Sequence, residues 1–289
     1  MRRTQFLVGG HAFIVEADES IFDEMVGYEP FIADGAIEHV VFDAVITPIS
    51  EKPDNDFIKE NEWEIKEMSA VSGSTSDGHF VFKFYWLHQS IVEIITSRQY
   101  NHANIYLTGF QKKLAIDMAM MLIYSHATAH LYTTIIHSSA ICYNHHAYLF
   151  VGLSGTGKST HSRLWLKHIE GTELINDDKP VIRIQDGKAI LYGSPWSGKL
   201  DCFKNVRYPV EAIVKLKQAP YNEIRKLGNV ESYFVLLHCI YGKRWDKSIG
   251  DALHQLESQI VKLCHFWELE CLPNQEAALL CKEYITTNK

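Results

Sequence analysis

Residues 152–159 read Gly152-Leu153-Ser154-Gly155-Thr156-Gly157-Lys158-Ser159, which satisfies the spacing GxxxxGK[ST]. No other stretch constrains the chain as tightly. Glycines at 152, 155 and 157 permit backbone angles closed to other residues, so the loop can wrap tightly. A wrapped loop turns successive N–H groups inward, where they meet phosphate oxygens, and a helix that starts at the loop adds its positive end. Lys158 is then placed to reach the β- and γ-phosphates, and the Ser159 hydroxyl to ligate Mg²⁺. At average residue frequencies a chance match somewhere in a chain of this length arises in roughly 1% of cases. The context also fits: an apolar strand-like run, Ala147–Val151, precedes the loop and a helical pattern follows it. Gly152 to Thr160 are therefore the expected nucleotide contacts, with ATP and Mg²⁺ as cofactors.

Composition sets limits on everything else. The 289 residues are 46% hydrophobic and 22% charged, enough to bury a large core. A formal net charge of −7 argues against a dedicated nucleic-acid binder. The six cysteines form no CxxC pair, so no zinc or dithiol spacing is present, and scattered thiols suit a reducing cytoplasm. The apolar run after Arg2-Arg3 is broken by Gly9 and Gly10. Ala115–Tyr124 contains Asp117 and is far short of the ~20 residues a bilayer span needs. A cytoplasmic protein with no membrane partner is expected. Nothing excludes a homo-oligomer.

Two regions differ in pattern. Residues 1–109 read as a β-rich module: a hairpin signal at Gly9-Gly10, strand-like runs at Glu38–Thr47, around Trp63, and over Gly78–Leu87, Ser90–Thr96 and Asn104–Thr108, with turns at Ser50–Asn55 and Ser72–Gly78. Residues 110–289 mix helices and strands. A buried helix is predicted over Phe110–Leu131, a strand over Tyr132–Tyr143, then the loop strand and a helix from Lys158 to about His168. Strands are predicted at Glu173–Asn176, Val181–Ile184, Ala189–Tyr192 and Ala212–Gln218. Helices are predicted at Val230–Cys239, Ile249–Cys264 and Asn274–Ile285. The expected class is α/β, or mixed α+β. Acceptor recognition is assigned to the N-terminal module for want of another role.

Four further features bear on chemistry. Leu174-Ile175-Asn176-Asp177-Asp178 is an apolar strand ending in two acids, about 20 residues beyond the loop. Such a pair can hold Mg²⁺ or its water and accept a proton from an attacking hydroxyl. His137 sits in Ile135-Ile136-His137-Ser138-Ser139-Ala140, on a strand expected to neighbour the loop strand. A lone His on a strand is more often a hydrogen-bonded core residue. Gly193-Ser194-Pro195-Trp196-Ser197-Gly198-Lys199 reads equally well as a plain surface loop or as a functional one whose Lys199 neutralises the transferring phosphoryl group. Arg163 is a weaker candidate of the same kind, and His145 and His146 read as exposed turn residues.

Together, His137-Ser-Ser-Ala140, then Leu149-Phe150-Val151 with the loop to Ser159, then Asn176-Asp177-Asp178, resemble the HPr kinase/phosphorylase family, whose P-loop core is shared with phosphoenolpyruvate carboxykinases. The resemblance runs from about Thr133 to Lys199 and more loosely to Ala277. It implies a P-loop core of that kind, with His137 close to the transferred phosphate, Asp177 as the base toward a serine hydroxyl, and Asp178 near the metal with Ser159. Gly193–Lys199 stands where HPr kinases carry an Ile-Arg-Gly-type signature. The chain therefore looks more like the divergent HPr-kinase-like proteins, some of which act on peptide precursors. A phosphotransferase acting on a protein or peptide hydroxyl, with Lys158, Asp177, His137 and Lys199 in catalytic roles, is the expectation. A nucleotide-sensing ATPase without transfer, a carboxykinase-like enzyme and an ordinary P-loop NTPase are the alternatives.

Overall fold

The computed structural model describes every residue except Ala36, Lys199, Asn288 and Lys289, together with the side chain of Ile65. The chain divides into two compact units, Met1–Thr128 and Ala129–Lys289. The sequence-based division at 109/110 falls before the long helix, whereas this one falls near its end.

The first unit is built on β1 (Arg2–Val8), β2 (His11–Ala17), a one-turn helix α1 (Glu19–Phe22), β3 (Val40–Pro48), β4 (Ile58–Ile65), β5 (Met68–Ser74), β6 (Phe80–Trp86), β7 (Gln89–Thr96), β8 (His102–Leu107) and helix α2 (Lys112–Ala129). One eight-stranded sheet runs in the order β1-β2-β3-β8-β7-β6-β5-β4. Alternate residues of β2 and β3 (Phe13, Val15, Ala17; Phe42, Ala44, Ile46) are buried, the period a one-sided sheet requires. On that face Phe13 stacks on Phe42 at 4.8 Å and meets Tyr124 of α2 edge-on, while the Tyr124 hydroxyl donates to Val8 O at 2.9 Å. The ladder of β5 runs through Ser74, where a turn beginning at Ser72 was expected. Its small Ser and Gly residues conceal a strand paired on both sides.

The second unit contains β9 (Thr133–Ile135), β10 (Ser139–Tyr143), β11 (His146–Val151), α3 (Lys158–His168), β12 (Glu173–Asn176), β13 (Val181–Gln185), β14 (Lys188–Tyr192), β15 (Arg207–Gln218), β16 (Glu223–Lys226), α4 (Asn229–Cys239), α5 (Lys247–Leu263), β17 (His265–Cys271) and α6 (Gln275–Thr287). Its sheet runs β12-β10-β11-β15-β14-β13-β9, with β17 beside β15 and β16 beside β17. Strand β15 is the hinge of this layout. Its first residues pair with β14, and its later ones lie parallel to β11 on one side and β17 on the other. The mixed α/β class expected from the sequence is present.

One face of the β11–β15–β17 region carries Phe150, Val214, Leu216, Trp267 and Leu269, packed with Trp165 of α3 and Ala278, Cys281 and Ile285 of α6. The opposite face at the next register row carries Val151, Lys215, Glu268 and Arg225 side by side. Burying a residue such as Leu216 or Ile285 contributes ~1.5–3 kcal/mol, so α3 and α6 are held chiefly by this apolar face.

Two sequence expectations are corrected here. The strand predicted over Tyr132–Tyr143 is two strands, because the amides of 136–138 leave the ladder. Ile136 N donates to Pro180 O, His137 N to Cys239 O at 2.7 Å and Ser138 N to Asp178 O at 3.1 Å. His137 therefore lies in a break rather than on a strand. The segment His265–Cys271, left without structure in the sequence reading, is a strand. Two acids, Glu268 and Glu270, mask its alternation, and Glu268 is buried because Lys215, Lys217 and Arg225 surround it. Among the described residues no helix is long and apolar enough to cross a membrane.

Candidate active site

The loop at 152–157 leaves the end of β11, whose residues Ala147–Val151 are all buried, and passes directly into α3. Gly152 has φ 149°, and a Cβ there would meet Thr156 Oγ1 at 2.9 Å and Leu216 O at 3.1 Å, so no side chain fits without distortion. The turn closes on itself through Thr156, whose amide and hydroxyl both donate to Leu153 O. The first amides of α3 have no acceptor within the helix. Leu153 projects into solvent, whereas Lys158 is buried.

Lys158 Nζ donates to the carbonyls of Gly152 (3.0 Å) and Leu153 (3.3 Å), the only hydrogen-bond acceptors it has among the described residues. Burial pulls its pKa below the usual lysine value, and the charges of Asp178 and Asp177 work in the opposite direction. A buried cation resting on neutral carbonyls gains more from an anion than from what now holds it.

The acid pair is positioned by Asn176. Its Oδ1 accepts from the amides of Asp178 (2.9 Å) and Lys179 (2.8 Å), turning the chain sharply after β12. Its Nδ2 donates to Ser194 Oγ and Trp196 O, which ties the turn to the Gly193–Gly198 loop. Gly198 lies so close that a Cβ on it would be 3.1 Å from Asp178 Cβ and 3.6 Å from Asp177 Oδ2. Lys199 lies outside the described residues.

The two carboxylates have different surroundings. Asp177 is 4% exposed. Its Oδ1 accepts from Ser139 Oγ at 2.9 Å, and Ser162 Oγ of α3 lies 2.6 Å from Ser139 Oγ, forming a relay Ser162→Ser139→Asp177. Its Oδ2 is sealed from solvent and has no hydrogen-bond partner. Such an orphan acceptor costs ~1–3 kcal/mol, which a donor or cation arriving at the site would offset.

Asp178 instead is partnered. Lys179 Nζ lies 2.8 Å from its Oδ1 and His137 Nδ1 3.1 Å from the same atom. Burial alone would raise its pKa, but the polar contacts with His137 and Lys179 prevail and hold it at about 2. His137 is pushed below the usual histidine value, first by burial and then by the charges of Lys179 and Lys158, against the pull of Asp178. Lys179 Nζ at 2.6 Å and Asp178 Oδ1 at 3.1 Å both lie beside His137 Nδ1, and which of them that nitrogen bonds depends on the ring's tautomer.

The structure thus gathers Lys158, Asp177, Asp178 and His137 around the loop. The strand expected to carry His137 does neighbour the loop strand, since β10 pairs with β11, but His137 itself lies just before β10, in the strand break. Arg163 and His145 are exposed, and no cluster of three or more metal-ligating His, Cys, Asp or Glu side chains occurs among the described residues. Lys179 and Ser162 carry no signal of their own in the motifs, and Ser139 and Asn176 stand within motifs without a role assigned to them. Ser139 follows His137 by two positions and Ser162 follows Ser159 by one helical turn, which are the only signals that could have drawn them in.

No family model matches the chain, and no curated protein matches it. Among solved structures, the HPr(Ser) kinase/phosphatase from Coxiella burnetii is similar to it over 53% of this chain and 94% of its own, at 12% identity and a TM-score of 0.32. At that level of likeness, what bears on function is the site itself.

Proposed function

We propose that the unit Ala129–Lys289 binds a nucleoside triphosphate, ATP by preference, on Gly152–Thr160 and transfers its terminal phosphoryl group to a serine or threonine hydroxyl of a protein or peptide. One observation carries this reading. A buried loop lysine with only backbone carbonyls to hold it lies within the electrostatic reach of a buried carboxylate that has one unpartnered oxygen. An anion satisfies the first and a hydroxyl donor the second. The order of His137, the loop and the acid pair is that of the HPr kinase/phosphorylase family, and the unit is read as a divergent P-loop core of that kind.

In this reading the loop amides and Lys158 bind the phosphates. The acceptor hydroxyl gives its proton to Asp177 Oδ2 as its oxygen bonds to the γ-phosphorus. The bond to the β,γ-bridging oxygen breaks, and the nucleoside diphosphate leaves. Ser162 and Ser139 keep Asp177 oriented through Oδ1. His137, held beside Asp178, offers its ring as a polar contact for the transferred group, and Lys199 would add a cation. Magnesium, for which the Ser159 hydroxyl and the Asp178 carboxylate are the available oxygen ligands, supplies neutralisation of phosphate charge. Almost all the catalysis is positioning and electrostatics.

The test uses γ-labelled ATP and serine-containing peptides with the wild-type chain, Lys158→Ala and Asp177→Asn. Lys158→Ala is expected to lose nucleotide binding. Asp177→Asn is expected to keep binding while transfer falls by about 10²–10⁴-fold, the usual contribution of a positioned base. Transfer by Asp177→Asn at the wild-type rate would show that another group takes the proton.

A further inference from the structure

Two cavities flank the loop, and strand alternation sets them on opposite faces of the sheet, since one is lined by Lys215 and the other by Leu216 of the same strand. The Lys215 cavity runs along α4 to Gly152 and Leu153, and its charges are already engaged with one another: Glu268 is paired with Lys215 and Arg225, and Arg225 with Glu231. The Leu216 cavity, about 560 Å³, opens onto Gly155, Gly157 and Thr160 at the start of α3.

We infer that this second cavity receives the base and sugar of the nucleotide. The inference rests on the proposed function and extends it to a subsite. It follows from the direction in which a triphosphate must lie. Asp177 and Asp178 end β12, on one flank of the loop strand β11, and the order β12-β10-β11-β15 with β17 beyond places β15 and β17 on the other flank. Lys158 and the acid pair fix the γ-phosphate end on the first flank. The α-phosphate and nucleoside must therefore run past Thr160 toward the ends of β15 and β17, where the cavity lies.

Its walls suit a flat, largely apolar ring: Leu164, Leu216, Ala219, Leu272 and Pro273. Its size falls within the ~300–1,000 Å³ typical of small-molecule sites. The two rims are pinned together. Ala219 N donates to Cys271 O at 3.2 Å, and Asn222 links the far side by accepting from Leu272 N (2.9 Å) and donating to Asn274 Oδ1 (3.2 Å). Gln218 Nε2 donates to Gly155 O at 3.1 Å, which couples the rim to the phosphate loop itself. The pocket is thus built before any ligand enters.

Calorimetric titrations with ATP and with inorganic tripolyphosphate, both with magnesium, separate the subsite from the loop. The wild-type chain is expected to bind ATP at least about tenfold more tightly than tripolyphosphate. Ala219→Trp, which fills the cavity, and Leu272→Trp, which narrows it from an exposed position, are each expected to weaken ATP by about tenfold or more while leaving tripolyphosphate within about twofold. Retained tripolyphosphate binding shows that each variant is folded. Equal wild-type affinity for the two ligands, or unchanged ATP affinity in both variants, would overturn the subsite and leave the loop reading standing. Failure of the wild-type chain to bind either ligand would overturn both.

Discussion

At the scale of single residues, His161 shows how burial fixes a protonation state. Its ring lies edge-on to Phe150 at 4.6 Å, and its Nε2 accepts from Trp165 Nε1 at 3.1 Å, so the imidazole is held neutral and burial lowers its pKa to about 3. An unfolded chain would protonate the same ring near its ordinary value of 6.5. A depressed folded-state pKa means that the stabilisation is complete above 6.5 and drains away as pH falls toward 3. Each unit below 6.5 is expected to remove about 1.4 kcal/mol through this one group. Denaturant midpoints at pH 7 and pH 5.5 for wild type and His161→Gln check this: the wild type should lose more stability between the two pH values than the variant. Equal losses would mean that His161 titrates normally in the folded protein. The same scale shows what sequence can and cannot supply. Lys158, Asp177 and Asp178 were legible because the loop spacing and the acidic strand end are local patterns. Ser139, Ser162 and Lys179 were not, because their roles come from hydrogen bonds across elements and from a strand break that no local pattern announces.

Among elements, helix ends carry much of the local organisation. Helix α5 begins after Asp246, whose carboxylate accepts from the amides of Ser248 (3.0 Å) and Ile249 (3.2 Å). Asp246→Ala is expected to reduce stability by about 1 kcal/mol, the usual effect of losing such a cap, with nucleotide binding unchanged. Chemical denaturation read by circular dichroism would reveal it, and an unchanged midpoint would show that the cap contributes nothing. Helix α3 has the opposite kind of start: Gly157 precedes it with φ 103° and no side-chain cap, leaving its first amides for a ligand. The helices and the loop strand were readable from periodicity and flanking residues. Strand β17 was not, because Glu268 occupies a buried position that only its three cationic neighbours, distant in sequence, make tolerable. Strand β5 was hidden by small residues whose place in the sheet is set by partners on both sides.

For the whole molecule, the chain forms two compact units, and the loop, the acid pair and His137 all belong to the second. The account stands on that second unit holding a triphosphate at its loop. Equilibrium dialysis of radiolabelled ATP with magnesium against the purified chain and its Lys158→Ala variant is the most direct test. The wild-type chain should retain label with a dissociation constant in the ~1 μM–1 mM range common for enzyme substrates, and Lys158→Ala should retain none above background. No retention by the wild-type chain, or equal retention by the two, would contradict the assignment of the loop.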